Sequence, residues 1–390
     1  MPHVLTVFGT RPEAVKLAPV VLELQRRAGS SLISHVCVTG QHRDMLDQVL
    51  RVFGIVPDVD LDVMADNQSP TQVASAVLAR LEPILHQLRP DWVVVQGDTT
   101  TVALAALAAF YARVRVAHVE AGLRTDDKWQ PFPEEINRRV AGVIADLHLA
   151  PTARARDNLL RESVPRERIL VTGNPGIDAL RWVTAQPTPR ELRTRFAAWG
   201  LEEGRDAPRL VLVTAHRREN FGAGLEQICR ALRELARRYR GSVRIVYPVH
   251  RNPHVWEPVH RLLGDEPWVT LMPPLDYLPN LHLMRRATLV LTDSGGVQEE
   301  APGLGVPALV LREVTERPEG VDAGALRLVG TDRARIVAEA TRLLDDPRAY
   351  RAMARAVNPF GDGRAAERIV SALLGEPVDE FDVAGRILTS

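Results

Sequence analysis

Short apolar runs alternate along this chain with longer stretches in which apolar residues return every three or four positions. The short runs predict buried strands and the longer stretches amphipathic helices. His3 to Phe8 is the first strand candidate, followed by Gly9-Thr10-Arg11-Pro12-Glu13 and the helical pattern AVKLAPVVLELQRR. Thr10 and Glu13 have capping-box spacing, and Pro12 falls in the first turn, where it costs no intrahelical bond. Leu32 to Val38, Trp92 to Val95, Arg115 to Val119, Leu147 to Leu149 and Ile169 to Val171 continue the series. Strand, loop and helix at this spacing predict βαβ units and a mainly parallel sheet.

The stretch Thr184 to Pro208 carries five prolines or glycines among charges and a helical pattern around Glu191 to Trp199, and it separates a second set of units. That set runs through Leu210 to Val213, Val243 to Tyr247, Val269 to Met272, Leu289 to Leu291 and Pro307 to Leu311. The expected fold class is α/β, with two doubly wound domains. Asn358-Pro359-Phe360-Gly361-Asp362-Gly363 marks a sharp turn before a last helix, Arg364 to Leu374.

A length of 390 residues suits two cores rather than one. The chain has 49 basic and 49 acidic residues, so its formal net charge is +0. That balance gives no general attraction to nucleic acid or anionic membrane, and any anion must be held locally. Cys37 and Cys229 are the only cysteines, with no CxxC pair and no Cys/His cluster. This predicts a reducing, cytoplasmic setting and no structural zinc. Neither a signal peptide nor an uninterrupted apolar run of about 18 residues is evident, so no membrane association is expected.

In open parallel sheets, ligands bind beyond the carboxyl ends of the strands, where the polar clusters of this chain fall. The sharpest is Thr288 to Glu300, TLVLTDSGGVQEE, a buried strand running into a helix start. Ser294 can cap that helix, while Gly295 and Gly296 let a ligand approach bare N–H groups at the positive end of the dipole. Glu299 or Glu300, about one turn on, can accept hydrogen bonds from ribose hydroxyls. The plainer alternative is a capped helix with two surface glutamates.

His216-Arg217-Arg218 follows another strand and suits a diphosphate leaving group, with Arg11 and Lys16 as further positive charge. The acidic set is Asp98, Glu120 and Glu134 or Glu135; carboxylates placed together raise one another's pKa, which suits acid-base work. Asp98 can instead be a helix cap, and Glu134-Glu135 a first-turn dipole pair. His118, between Ala117 and Val119, reads as a core histidine. The polar clusters in both halves predict two strand-end surfaces facing across a cleft.

The segments FGTRPEAVKLAP, TGQHRDML, QGDTTT, HVEAGLRT, PFPEEINR, TAHRREN, YPVHRNP, TDSGGVQEEAPGLGVP, TERPEG and NPFGDGRA closely resemble the non-hydrolysing UDP-N-acetylglucosamine 2-epimerase family, in order from residue 8 to about residue 365. The resemblance implies two Rossmann-like domains of the glycosyltransferase-B type, residues 1–172 and 173–363, with the segment 364–390 packing back on the first. It implies a cofactor-free isomerase, dimeric in the family's manner, that interconverts UDP-N-acetylglucosamine and UDP-N-acetylmannosamine through loss and re-addition of UDP. Carried over motif by motif, Asp98, Glu120 and Glu134 resemble the catalytic acids and bases, and His216 the residue that assists UDP departure. Arg11, Lys16, Arg138, Ser294, Gly295, Gly296, Glu300 and Arg317 resemble nucleotide-sugar contacts. Gln41, His42, Arg217 and His250 match a second UDP-N-acetylglucosamine site of some bacterial relatives, from which Asp44 and Asn67 depart.

Three other readings share the cleft. A hydrolysing epimerase would release N-acetylmannosamine and UDP, a glycosyltransferase would require an acceptor, and a UDP-sugar sensor would have only structural carboxylates.

Overall fold

The computed structural model describes residues 1–40, 43–64, 68–201, 204 and 207–383 of the 390-residue chain. Strands β1 (His3–Phe8), β2 (Ile33–Val38), β3 (Val59–Asp60), β4 (Trp92–Gln96), β5 (Arg115–Val119), β6 (Leu147–Ala150) and β7 (Ile169–Val171) form one sheet. Its order is β3-β2-β1-β4-β5-β6-β7 and every pairing is parallel. Strands β8 (Arg209–Thr214), β9 (Val243–Pro248), β10 (Val269–Met272), β11 (Leu289–Thr292), β12 (Ala308–Val310) and β13 (Leu326–Leu328) form a second. That sheet is also parallel, ordered β10-β9-β8-β11-β12-β13.

The chain divides into two compact units, Met1–Ala179 with the segment from Phe360 onward, and Leu180–Pro359. The first division falls inside the helix Pro175–Ala185, a few residues after the expected limit at 172. A continuous helical pattern gives no punctuation at that point. The last helix, Ala365–Leu373, packs on Arg11–Arg27 in the first unit. Its Ala366 N–H donates to Asp178 at 2.8 Å.

Each sheet is buried on both faces, so its strands are continuous apolar runs rather than alternating ones. In β4 all five residues are buried. The adjoining helix Thr100–Tyr111 lies on β1, β4 and β5 and against Pro70–Leu88 and Glu134–Ile144. Its alanines, Ala103, Ala105, Ala106, Ala108 and Ala109, are all buried, and their small size allows that close approach on several sides. In the second unit Val211, Val213, Ile245, Leu289, Leu291 and Leu309 join Leu225, Ile228, Leu232 and Leu235 of the helix Ala223–Arg238 in one core. No helix among the described residues is long and apolar enough to cross a membrane.

The chain leaves β1 toward β2 and β3 and returns on the other side with β4; β8 and β11 repeat this reversal. Loops after the strands on either side of such a reversal diverge and leave a crevice at the carboxyl ends. The candidate residues form two groups, one in each unit.

Candidate active site

In the first unit, β4 and β5 run in register, with Gln96 opposite Val119. Asp98 and Glu120 therefore leave neighbouring strand ends. Each carboxylate has its own cation: Arg138 Nη2 lies 2.5 Å from Asp98 Oδ2, and Lys16 Nζ lies 2.5 Å from Glu120 Oε1. The family resemblance implies that both cations contact a nucleotide sugar. In the structure the helices Arg11–Arg27 and Glu134–Ile144 deliver Lys16 and Arg138 to the two carboxylates.

Glu120 is buried and also accepts from the side-chain amides of Gln96 and Asn174. Its backbone is left-handed, with φ 62°. For a residue with a Cβ this costs on the order of 1–3 kcal/mol, and such strain collects at functional sites. Asp98 is not the helix cap; Thr99 holds that position and its Oγ1 accepts from Val102 N at 3.3 Å.

Glu13 ties the loops on either side of the reversal together. Its Oε2 accepts from the N–H groups of Gly9 at 2.9 Å and Thr10 at 2.6 Å, and its Oε1 accepts from Thr99 Oγ1 at 2.6 Å. Burial raises its pKa, against the lowering effect of the hydrogen bonds from Thr99, Gly9 and Thr10. Arg11 opens the helix, where a cation opposes the dipole and is available to an anion.

The structure separates Glu134 from Glu135. Glu135 is fully buried, 3.0 Å from Arg139 Nη2 and 3.5 Å from Arg138 Nη1, and accepts from Thr125 N–H at 3.2 Å. It braces the loop before the helix. Glu134 keeps a buried Oε2 without a hydrogen-bond partner. His118 is a core residue whose Nε2 lies 2.7 Å from Gly97 O. Burial, reinforced by the charges of Arg124 and Arg138, lowers its pKa to about 4.

In the second unit, β8 ends at Thr214 and His216 follows, while β11 ends at Thr292 and leads through Asp293 to the helix Gly295–Gly303. Ser294 occupies the cap position, but its side chain makes no cap hydrogen bond, contrary to the sequence expectation. Its N–H instead donates to Thr292 Oγ1 at 2.9 Å. The helix start is thus left without a side-chain cap. A Cβ placed on Gly295 would lie 3.8 Å from Arg217 Nη2 and 4.0 Å from Arg317 Nη2, and one on Gly296 would meet nothing within 4 Å. Two guanidiniums beside bare N–H groups make a site for a dianion.

Arg317 Nε pairs with Glu299, whereas Glu300 lies near the buried phenol of Tyr277, whose pKa is raised chiefly by burial and then by Glu300. His216 stacks on His250, centroids 5.3 Å apart and planes at 16°. Burial, His250 and Arg217 lower the pKa of His216, and Asp293 opposes them. Gln41, His42 and Asn67 lie outside the described residues, as does the side chain of Asp44. Among the described residues, no group of three His, Cys, Asp or Glu side chains is placed to hold a metal ion.

Lys16 and Arg138 as carboxylate partners, and Glu13 and Asp293 as buried loop ties, were not legible in the sequence. The capping-box spacing of Glu13 was the one signal present, and it did not point to Thr99.

Two parallel, doubly wound sheets with these strand-end groups define a protein of two Rossmann-like domains of the glycosyltransferase-B type. A sequence model described as UDP-N-acetylglucosamine 2-epimerase matches residues 23–374. The UDP-N-acetylglucosamine 2-epimerase of Escherichia coli (strain K12) is 54% identical over 371 residues, covering 95% of this chain and 98% of that protein. The crystal structure of the Neisseria meningitidis UDP-GlcNAc 2-epimerase bound to UDP-GlcNAc has 45% identity and a TM-score of 0.86, covering 96% of this chain and 100% of that one. A UDP co-structure from S. aureus has 43% identity and a TM-score of 0.83, covering 98% and 100%. The chain belongs to the UDP-N-acetylglucosamine 2-epimerase family.

Proposed function

We propose that this protein interconverts UDP-N-acetylglucosamine and UDP-N-acetylmannosamine without net hydrolysis. The observation that carries this reading is the pair of ionic contacts at neighbouring strand ends, Asp98 with Arg138 and Glu120 with Lys16. Proton transfer at a sugar carbon needs carboxylates in fixed positions with their charge balanced, and these pairs supply both.

In the proposed reaction a carboxylate of the set Asp98, Glu120 and Glu134 removes the C2 proton as the C1–O bond breaks and UDP departs with the bonding electrons. This leaves a 2-acetamidoglucal. UDP then adds back at C1 while a proton reaches the opposite face of C2, so atoms and charge balance over the cycle. Glu134, with its unpartnered oxygen, is the acid most open to exchange a proton with a ligand. The diphosphate is assigned to the N–H groups at Gly295 and Gly296, with Arg217 and Arg317 beside them and His216 assisting departure. Arg11 adds positive charge, and Glu300 is assigned to the ribose hydroxyls.

A homodimer is part of the same reading. Phe110 and Tyr111 on Thr100–Tyr111 and Val143 on the adjoining helix Glu134–Ile144 are exposed, and an apolar face of this kind suits a second copy. A cytoplasmic setting agrees with the two free, buried cysteines, Cys37 and Cys229.

The test is proton NMR of the protein with UDP-N-acetylglucosamine alone in deuterium oxide. Deuterium entering C2 as UDP-N-acetylmannosamine forms, with little free sugar, is the expected outcome. Free N-acetylmannosamine accumulating in step with UDP would overturn the non-hydrolysing reading.

A further inference from the structure

We propose that Asp293 is the positioning residue for His216, holding the imidazole with Nδ1 toward a buried carboxylate and leaving Nε2, across the ring, for the departing diphosphate. The proposal rests on the reading of His216 as the group beside that diphosphate.

Asp293 follows β11 directly and is fully buried. Its Oδ2 accepts three hydrogen bonds from the loop after β8: His216 N–H at 2.8 Å, Arg217 N–H at 2.8 Å and Asn220 Nδ2 at 3.0 Å. Asn220 is itself fixed by donation to Leu311 O at 3.1 Å. One carboxylate oxygen therefore locks the backbone that carries His216. The other, Oδ1, is buried without a hydrogen-bond partner and lies 3.8 Å from His216 Nδ1.

A loop brace alone needs only the first oxygen. Leaving a second buried carboxylate oxygen unsatisfied is costly, and a cationic imidazole at Nδ1 offsets that cost. At 3.8 Å the contact is one of charge with charge rather than a hydrogen bond. The other groups facing His216 act in the opposite sense: His250 is stacked on it, and Arg217 is the next residue. Tyr247, below the loop, is spent donating to Ala215 O at 2.5 Å. Among the described residues that face the ring, Asp293 is thus the one that favours its protonated form, the form suited to neutralising a leaving diphosphate.

The experiment compares Asp293→Asn, His216→Gln and the double variant in the full-length protein. It measures kcat and KM across pH, together with 15N NMR of the His216 ring. Asparagine keeps the shape and one acceptor oxygen but removes the charge. The expected result for Asp293→Asn is a fall in kcat of roughly 100-fold. KM should change little, and the His216 limb of the pH profile should move to lower pH. Adding Asp293→Asn to His216→Gln should have little further effect on kcat. An equal loss in both backgrounds would show that Asp293 does not act through His216 and would overturn the proposal.

The wild-type spectrum tests the geometry without relying on any variant folding. Neutral His216 protonated at Nδ1 supports the proposal, and a predominant Nε2–H form overturns it. If His216→Gln alone kept wild-type turnover, the role assigned to His216 would fall, while the ring spectrum would still decide whether Asp293 orients it.

Discussion

Lys16 Nζ lies 2.5 Å from Glu120 Oε1, joining positions 104 residues apart through a contact in which the glutamate side chain is 5% exposed. Removing the ammonium leaves a buried carboxylate without its countercharge. Lys16→Met is expected to destabilise the first unit by about 1–3 kcal/mol, less than for a fully buried pair because Lys16 is partly exposed. Adding Glu120→Gln should recover part of that loss but not turnover. Urea unfolding of the two single variants and the double variant measures the coupling, and strictly additive losses would contradict it.

Glu134 and Glu135 are adjacent but should respond oppositely. Glu134→Gln removes a carboxylate with an unpartnered oxygen, so turnover should fall by about 100-fold or more with the melting temperature nearly unchanged. Glu135→Gln strips two arginines of a fully buried partner and should cost roughly 2–4 kcal/mol of stability. Thermal unfolding together with deuterium incorporation at C2 separates the two, and the opposite pattern would reverse their assignment.

The bare start of the helix Gly295–Gly303 can be closed without disturbing the fold. A Cβ at Gly295 meets its two guanidinium neighbours only at ordinary contact distance, so Gly295→Ala should fold normally. It should weaken UDP binding by about tenfold through occupying the space over the N–H groups. Calorimetric titration with UDP checks this, and unchanged affinity would move the diphosphate elsewhere.

His118 and His148 pair across β5 and β6 and are both buried. Burial is the largest cause of the lowering of each pKa to about 4, from 6.5. The unfolded chain binds these protons first, so stability should be full above pH 6.5 and fall as pH drops from 6.5 toward 4. The contribution is on the order of 3 kcal/mol per histidine. Chemical unfolding at pH 7 and pH 5 should show the loss, and His148→Gln should reduce its steepness. An unchanged slope would mean that His148 is protonated in the fold.

Local pattern determined much of this protein. The apolar runs placed eleven of the strands, most within a residue or two of their ends, because a strand buried on both faces must be apolar throughout. Polar residues just past those runs marked the candidate site for the same reason, since the carboxyl ends of a parallel sheet are where the chain can turn to solvent and ligand. Strands β3 and β13 were missed because two or three residues carry no period, and a unit boundary within a helix leaves no mark in composition.

Which residue meets which was decided only by the tertiary structure. The reversal of strand order puts β4 beside β1 and β11 beside β8. That brings Glu13 to Thr99 across 86 positions and Asp293 to His216 across 77. No periodicity spans such distances. Strand order follows from how the helices pack on both faces, and it turned residues legible as strand-end polar groups into ion pairs and braces.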